Sequence, residues 1–230
     1  KFCATGKLNR ERNLEFDEIY DQVAIIREQS EKQYNMQLSN VVYMGMGEPL
    51  LNYANVLKSI EYITSPQGLH MAPRRITVST AGIAKMIKKL GDDQVKFNLA
   101  LSLHAANDKK RDKIMPINES NNLEVLEDAL NYFYDKTGTR VTLEYIVFKN
   151  FNDGMDDARE LAAFAKRVVS KINLIEYNPI DGGEFQRTTD ERVNAFMSEL
   201  WRNGLVVNLR RSRGKDIDAA CGQLANKSVK

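Results

Sequence analysis

The sequence predicts an α/β fold built on a parallel sheet, and two observations carry that expectation. Short β-branched or apolar runs recur along the whole chain, and each is followed by a polar or glycine-containing loop and then an amphipathic helical stretch. Strands that alternate with helices pair in parallel through right-handed crossovers, which leaves an open doubly wound sheet or a βα barrel. Periodicity does not choose between the two.

Taken in order, the candidate strands are residues 40–44, 75–79, 97–103, 140–147, 172–176 and 205–209. The helix before the first strand is marked by Phe16, Ile19, Val23 and Ile26, at the three- and four-residue steps of one buried face. Leu123, Leu126, Leu130 and Phe133 mark the helix before the fourth strand, and Val193, Phe196, Met197, Leu200 and Trp201 the helix before the last. That last helix carries both end signals, with Thr188 and Glu191 spaced as a capping box and Gly204 placed to terminate it.

A chain of 230 residues can bury its own core, and with no linker or composition shift we expect one domain over residues 1–230. The 43% hydrophobic and 28% charged content is that of a soluble globular protein, and no apolar run reaches the length of a membrane span. No charged leader with a cleavage site opens the sequence. Two cysteines, Cys3 and Cys221, are too few for a disulfide scaffold and fit a reducing, cytoplasmic setting. A net charge of +2 excludes a broadly basic nucleic-acid-binding surface, so any such signal is local. Residues 202–215, with Arg210, Arg211 and Arg213, form the densest basic cluster, and Arg74-Arg75 and residues 109–113 form smaller ones. A solvated surface is the plainest reading of each.

Both parallel architectures put their chemistry at the carboxyl ends of the strands. Those ends read Gly45-Met46-Gly47-Glu48-Pro49, Ser79-Thr80-Ala81-Gly82, Ser102-Leu103-His104 and Tyr177-Asn178-Pro179. Small residues let a ligand approach the backbone, while Glu48, Ser79, Ser102, His104 and Asn178 supply fixed donors and acceptors around one pocket. Such a set suits a zwitterionic nucleoside, with a carboxylate for an ammonium and hydroxyl and amide groups for a carboxylate and a ribose. Singly, each has a blander reading, a turn for Gly-Glu-Pro and a satisfied structural residue for His104. Cys221 follows an arginine-rich stretch, and nearby cations are expected to lower its pKa.

Together these residues resemble the radical S-adenosylmethionine RNA adenine methyltransferases, the RlmN and Cfr type, over the whole chain. The resemblance rests on Phe2-Cys3-Ala4-Thr5-Gly6 with Arg12-Asn13-Leu14, and on Met44-Gly45-Met46-Gly47-Glu48-Pro49-Leu50-Leu51-Asn52. It continues through Thr77-Val78-Ser79-Thr80-Ala81-Gly82, Leu101-Ser102-Leu103-His104-Ala105 and Asp216-Ile217-Asp218-Ala219-Ala220-Cys221-Gly222-Gln223-Leu224. It implies the partial (β/α)6 barrel of those enzymes, with the first strand and two of three cluster cysteines lying before Lys1. Cys3 then matches the last ligand of a 4Fe-4S cluster. Gly47 and Glu48 match the loop receiving the methionine ammonium of S-adenosyl-L-methionine, and Ser79, Ser102, Leu103, His104 and Asn178 match positions binding the rest of it. Cys221 matches the cysteine that becomes S-methylated.

The same resemblance implies methylation of adenine C2 in 23S rRNA and in tRNA, by an enzyme that works as a monomer with an external electron donor such as flavodoxin. Adenine C2 is electron-poor and does not attack a sulfonium methyl, so a cysteine carries the carbon and a 5′-deoxyadenosyl radical activates it. A C8 methyltransferase shares these motifs, and a non-catalytic βα-barrel RNA-binding module is the alternative of another class. With one of three cluster thiolates, residues 1–230 alone are expected to be inactive.

Overall fold

β-Branched and aromatic residues concentrate in six short segments, and in the computed structural model each of the six is a strand. The structure describes residues 2–9, 11–211 and 220–223. Its elements run α1 (Phe16–Tyr34), β1 (Val41–Tyr43), α2 (Tyr53–Thr64), β2 (Ile76–Thr80), α3 (Ala84–Asp92), β3 (Asn98–Ser102), α4 (Asp108–Ile114), α5 (Leu123–Thr137), β4 (Val141–Val147), α6 (Met155–Arg167), β5 (Ser170–Glu176), α7 (Asp190–Arg202) and β6 (Val207–Arg210). All neighbouring strands pair in parallel, in the spatial order β1-β2-β3-β4-β5-β6.

That order settles what periodicity left open. A doubly wound sheet reverses its strand order at a switch point, whereas crossovers of one hand in an unreversed order all fall on one face. The core confirms it. Ile76, Val78, Leu99, Leu101, Leu143, Tyr145, Ile172, Leu174 and Val207 pack with residues of α2, α3, α5, α6 and α7 in one cluster. The alternate strand positions, Ser79, Ser102, Glu144, Asn173 and Arg210, therefore look to the opposite face, the interior of an open, partial barrel. Ser102 is in register with Glu144, and Glu144 with Asn173.

A second, smaller cluster closes one end of that interior. Ala105, Ile114, Met115, Ile146, Phe148, Ile175 and Tyr177 form it, with Phe2, Phe151 and Phe185 packed against them. Phe148 lies 4.5 Å from Phe185 and 5.1 Å from Tyr177 between ring centroids, within the range of favourable aromatic pairs.

Three details differ from the sequence expectation. The apolar stripe of α1 is only partly covered, with Ile26 exposed, and Trp201 of α7 also faces outward. The α7 cap is Thr189, whose Oγ1 accepts from Arg192 N, and not Thr188. Thr188 is instead drawn inward, where its hydroxyl donates to Asp153 Oδ2 at 2.6 Å, so the helix starts one residue later. Within residues 109–113, Arg111 is fully buried, contrary to a solvated reading of that cluster. Among the described residues, no helix is long and apolar enough to cross a membrane.

The two threonines should separate in stability. Thr188→Val removes a bond to a buried carboxylate and should cost about 2 kcal/mol, while Thr189→Ala removes a cap and should cost about 1 kcal/mol. Urea denaturation orders them, and a larger loss at Thr189 would contradict the observed helix start.

Candidate active site at the carboxyl edge of the sheet

The loop after β1 is fixed by its own carboxylate. Glu48 Oε1 accepts from Leu50 N at 3.0 Å and Oε2 from Ala81 N at 2.7 Å, which ties this loop to the end of β2. Burial pushes the Glu48 carboxyl above its ordinary value, against the two main-chain bonds and one from Thr80. Both oxygens are thus engaged, and Glu48 acts first as a clamp where the sequence suggested a direct partner for an ammonium. The exposed backbone of Gly45 to Gly47 is what the loop offers to a ligand.

Strands β2 and β3 end in carbonyls that the ladder does not use, and one buried cation collects them. Arg111 Nη2 donates to Ala81 O at 2.8 Å and Ser102 O at 3.3 Å, and Nε donates to Leu103 O at 3.2 Å. Nη1 donates to Asn118 Oδ1 at 2.6 Å, and Asn118 Nδ2 in turn donates to Asp108 and Asp112. Burial lowers Arg111 to about 10, and the two aspartates oppose the fall. Gly82, at φ +105°, leaves room for this guanidinium, because a Cβ there would come within 3.3 Å of Nη2 and 3.0 Å of Leu126. The clamp holds Ser79 and Ser102 half-buried on the interior face.

His104 is a structural peg as well as a site residue. It takes a left-handed φ of 54°, and its Nδ1 accepts from Ile146 N at 3.1 Å. Its carbonyl accepts from Asn152 Nδ2 at 2.7 Å, and the same amide donates to Ile146 O. Asn152 Oδ1 accepts from Phe148 N, so one buried amide joins the ends of β3 and β4. The His104 ring meets Phe2 edge to face, with centroids 4.5 Å apart. Burial first, then the nearby Arg111 charge, lowers His104 to about 3, and the ring is neutral.

The segments 2–9 and 220–223 meet beside the loop that follows β5. Ala4 N donates to Gly222 O at 2.8 Å, and Asn178 Nδ2 donates to Cys221 O at 3.1 Å. Gln223 Nε2 donates to Pro179 O, and Lys7 Nζ donates to Asp181 O and Gly182 O at 2.8 Å each. Gly222 has φ +84°, and a Cβ would meet Phe2 O at 3.2 Å, so this contact requires glycine. The structure thus brings Cys3, Asn178 and Cys221 together. Although Cys221 as a residue is exposed, burial raises its thiol above the ordinary value; Arg210 opposes the rise, and Cys3 and Glu144 add to it. The expectation that cations lower this pKa is therefore corrected: Arg210 acts in that sense but is outweighed. Lys1, Arg213, Lys215, residues 216–219 and Leu224 lie outside the described residues.

Sequence reasoning missed Arg111, Asn152 and the pair Glu144–Arg210. Glu144 lies in the fully buried strand Val141–Val147, and a carboxylate within such an apolar run was the available signal. Its Oε1 accepts from Asn173 Nδ2 at 2.9 Å, while its buried Oε2 has no hydrogen-bond partner among the described residues. Arg210 Nη1 stands 3.7 Å from Oε2 and donates to Met44 Sδ at 3.4 Å. Burial raises the Glu144 carboxyl, and Asn173, Arg210 and Lys171 oppose the rise.

Hydroxyls, an amide, glycine backbone and a buried acceptor lacking a donor fit a nucleoside with an amino-acid tail. A cluster is a different matter: among the described residues no three His, Cys, Asp or Glu side chains group to hold a metal, and Cys3 is a single thiol. The described residues do not by themselves make a cluster site.

These features define a class, the singly wound parallel α/β proteins with a polar carboxyl edge on a partial barrel. Residues 1–165 match the radical SAM superfamily. The chain belongs to that superfamily. It is 62% identical over its whole length to a "Probable dual-specificity RNA methyltransferase RlmN" of Cytophaga hutchinsonii, covering 63% of that protein. It is 42% identical over 99% of its length to the "Dual-specificity RNA methyltransferase RlmN" of Nautilia profundicola, covering 64% of it. The crystal structure of a radical SAM methyltransferase from Sphaerobacter thermophilus superposes with TM-score 0.95 at 37% identity, over 98% of this chain and 66% of that one. The chain thus spans a little under two thirds of the length of these relatives.

The neutral, buried His104 makes a signed prediction. Its folded pKa, about 3, lies below the ordinary 6.5, so as pH falls through 6.5 the unfolded chain binds a proton that the folded chain refuses. Stability should drop by about 2 kcal/mol between neutrality and pH 5 from this group. His104→Asn, which tolerates the left-handed backbone, should flatten that part of the pH dependence relative to wild type. An unchanged slope in urea titrations would contradict it.

Proposed function

We propose that this chain is the catalytic core, one domain over residues 1–230, of a cytoplasmic radical S-adenosylmethionine enzyme that methylates C2 of adenine in 23S rRNA and tRNA. Cys221 is the carbon carrier in this reading. The observation that carries it is the junction of Ala4 with Gly222 and of Asn178 with Cys221, which sets a thiol beside the expected ligand positions. The relatives are named dual-specificity RNA methyltransferases, which supports an RNA substrate.

Each residue then has a task. The Gly45 to Gly47 backbone, held by Glu48, receives the ligand's ammonium, while Ser79, Ser102, Leu103 and Asn178 receive the remainder. His104 packs beneath them and keeps the end of β3 in place. S-Adenosylmethionine, when bound, supplies both the methyl group and the source of the radical that an electron-poor carbon requires. Cys221 must lose its proton to accept a carbon, and with its pKa raised only a small fraction is thiolate at neutral pH. Arg210 favours that thiolate. Phosphates of the RNA are met by the basic stretch leading to Cys221, and an unstacked base has to enter the mouth. Electrons come from an external donor such as flavodoxin, and the enzyme acts as a monomer.

The full-length protein, supplied with reductant, S-adenosylmethionine and 23S rRNA, should yield 2-methyladenosine and a peptide carrying S-methylated Cys221 by mass spectrometry. Cys221→Ser should abolish both signals while leaving the fold intact by circular dichroism. Methylation that persists in that variant, or appears at C8, would contradict the proposal.

A further inference from the structure

We propose that Glu144 is a binding residue for the ribose hydroxyls of the S-adenosyl ligand, through its buried Oε2; this rests on the reading that the interior face binds such a ligand. The carboxylate is almost wholly enclosed, with 5% of its side chain exposed, yet among the described residues only one of its oxygens has a hydrogen-bond donor. Arg210 does not supply the second. At 3.7 Å its Nη1 is beyond hydrogen-bond range and donates to Met44 Sδ instead. Among the described residues Oε2 thus has an ion pair but no hydrogen-bond donor, and carboxylates commonly accept from vicinal ribose hydroxyls.

Register and strand spacing choose the ribose over the ligand's ammonium. Glu144 lies directly beside Ser102 on the neighbouring strand, both on the interior face. The glycine loop proposed for the ammonium follows β1, three strands away, and at about 4.8 Å per strand that is about 14 Å along the sheet. Asn178, after β5, marks the far side. A ligand with its ammonium at β1 and its base toward β5 lays its ribose across β3 and β4. The charged and titratable groups facing Glu144 are Arg210, Lys171 and the Cys221 thiol, and Asn173 Nδ2 donates to its other oxygen.

The test is calorimetric binding to the full-length holoprotein of S-adenosylhomocysteine and its 2′-deoxy and 3′-deoxy analogues. Wild type should lose roughly tenfold or more in affinity on at least one deletion, the worth of a hydrogen bond to a charged group. Glu144→Gln keeps the shape, and Glu144→Asp keeps the charge but withdraws it by one methylene; both should bind the parent more weakly and the deoxy analogue no worse than the parent. Should Glu144→Gln fail to fold, the aspartate variant carries the comparison. Equal discrimination in wild type and variants, or equal losses on every ligand, would overturn the assignment. No binding of S-adenosylhomocysteine by wild type would instead sink the proposed function itself.

Discussion

A parallel sheet delivers its site at the place where its backbone is least satisfied, because each strand leaves the ladder with carbonyls that have no further partner. Here one guanidinium meets that need for two strands. Arg111 reaches Ala81 O and Ser102 O with Nη2 and Leu103 O with Nε, a task suited to a planar fork and not to a point charge. Its burial is tolerable because Asn118 relays the charge to Asp108 and Asp112, and because Gly82 has no side chain in the way. The positions of Ser79, Ser102 and His104 follow from this anchoring.

The rest of the mouth is built from segments 2–9 and 220–223. Phe2 packs against His104 and Phe148 in the small aromatic cluster, which places Cys3, and the Ala4–Gly222 bond brings in the turn bearing Cys221. The electrostatics are balanced rather than strongly biased. Arg210 lies between a carboxylate, a thiol and a thioether, and favours the thiolate that burial, Cys3 and Glu144 disfavour.

Local pattern made the fold legible: all six strands and the three helices marked by apolar stripes stand where alternation and helical spacing put them. The choice between a doubly wound sheet and a barrel was not legible, because strand order is a property of distant pairings that leaves no trace in any one segment. Residue identity named Glu48 and His104, but their partners fixed their roles: Glu48 spends both oxygens on main-chain N–H groups, and His104 accepts one. Arg111 was hidden in a lysine-rich run that reads as surface, and Thr188 was separated from the true cap by the remote pull of Asp153. Cys221 sits near a cation, as its neighbours suggested, yet the bulk of surrounding protein decides the sign of its shift.

The anchoring role of Arg111 is measured most directly by comparing Arg111→Lys and Arg111→Met with wild type, in equilibrium unfolding and in calorimetric binding of S-adenosylhomocysteine. A lysine ammonium is a compact point donor that does not span the carbonyls and the Asn118 amide reached from the three nitrogens of the planar fork, so both variants should lose about 3 kcal/mol or more of stability and bind the ligand more weakly, although Arg111 is placed away from it. A lysine variant with wild-type stability and affinity would contradict the account.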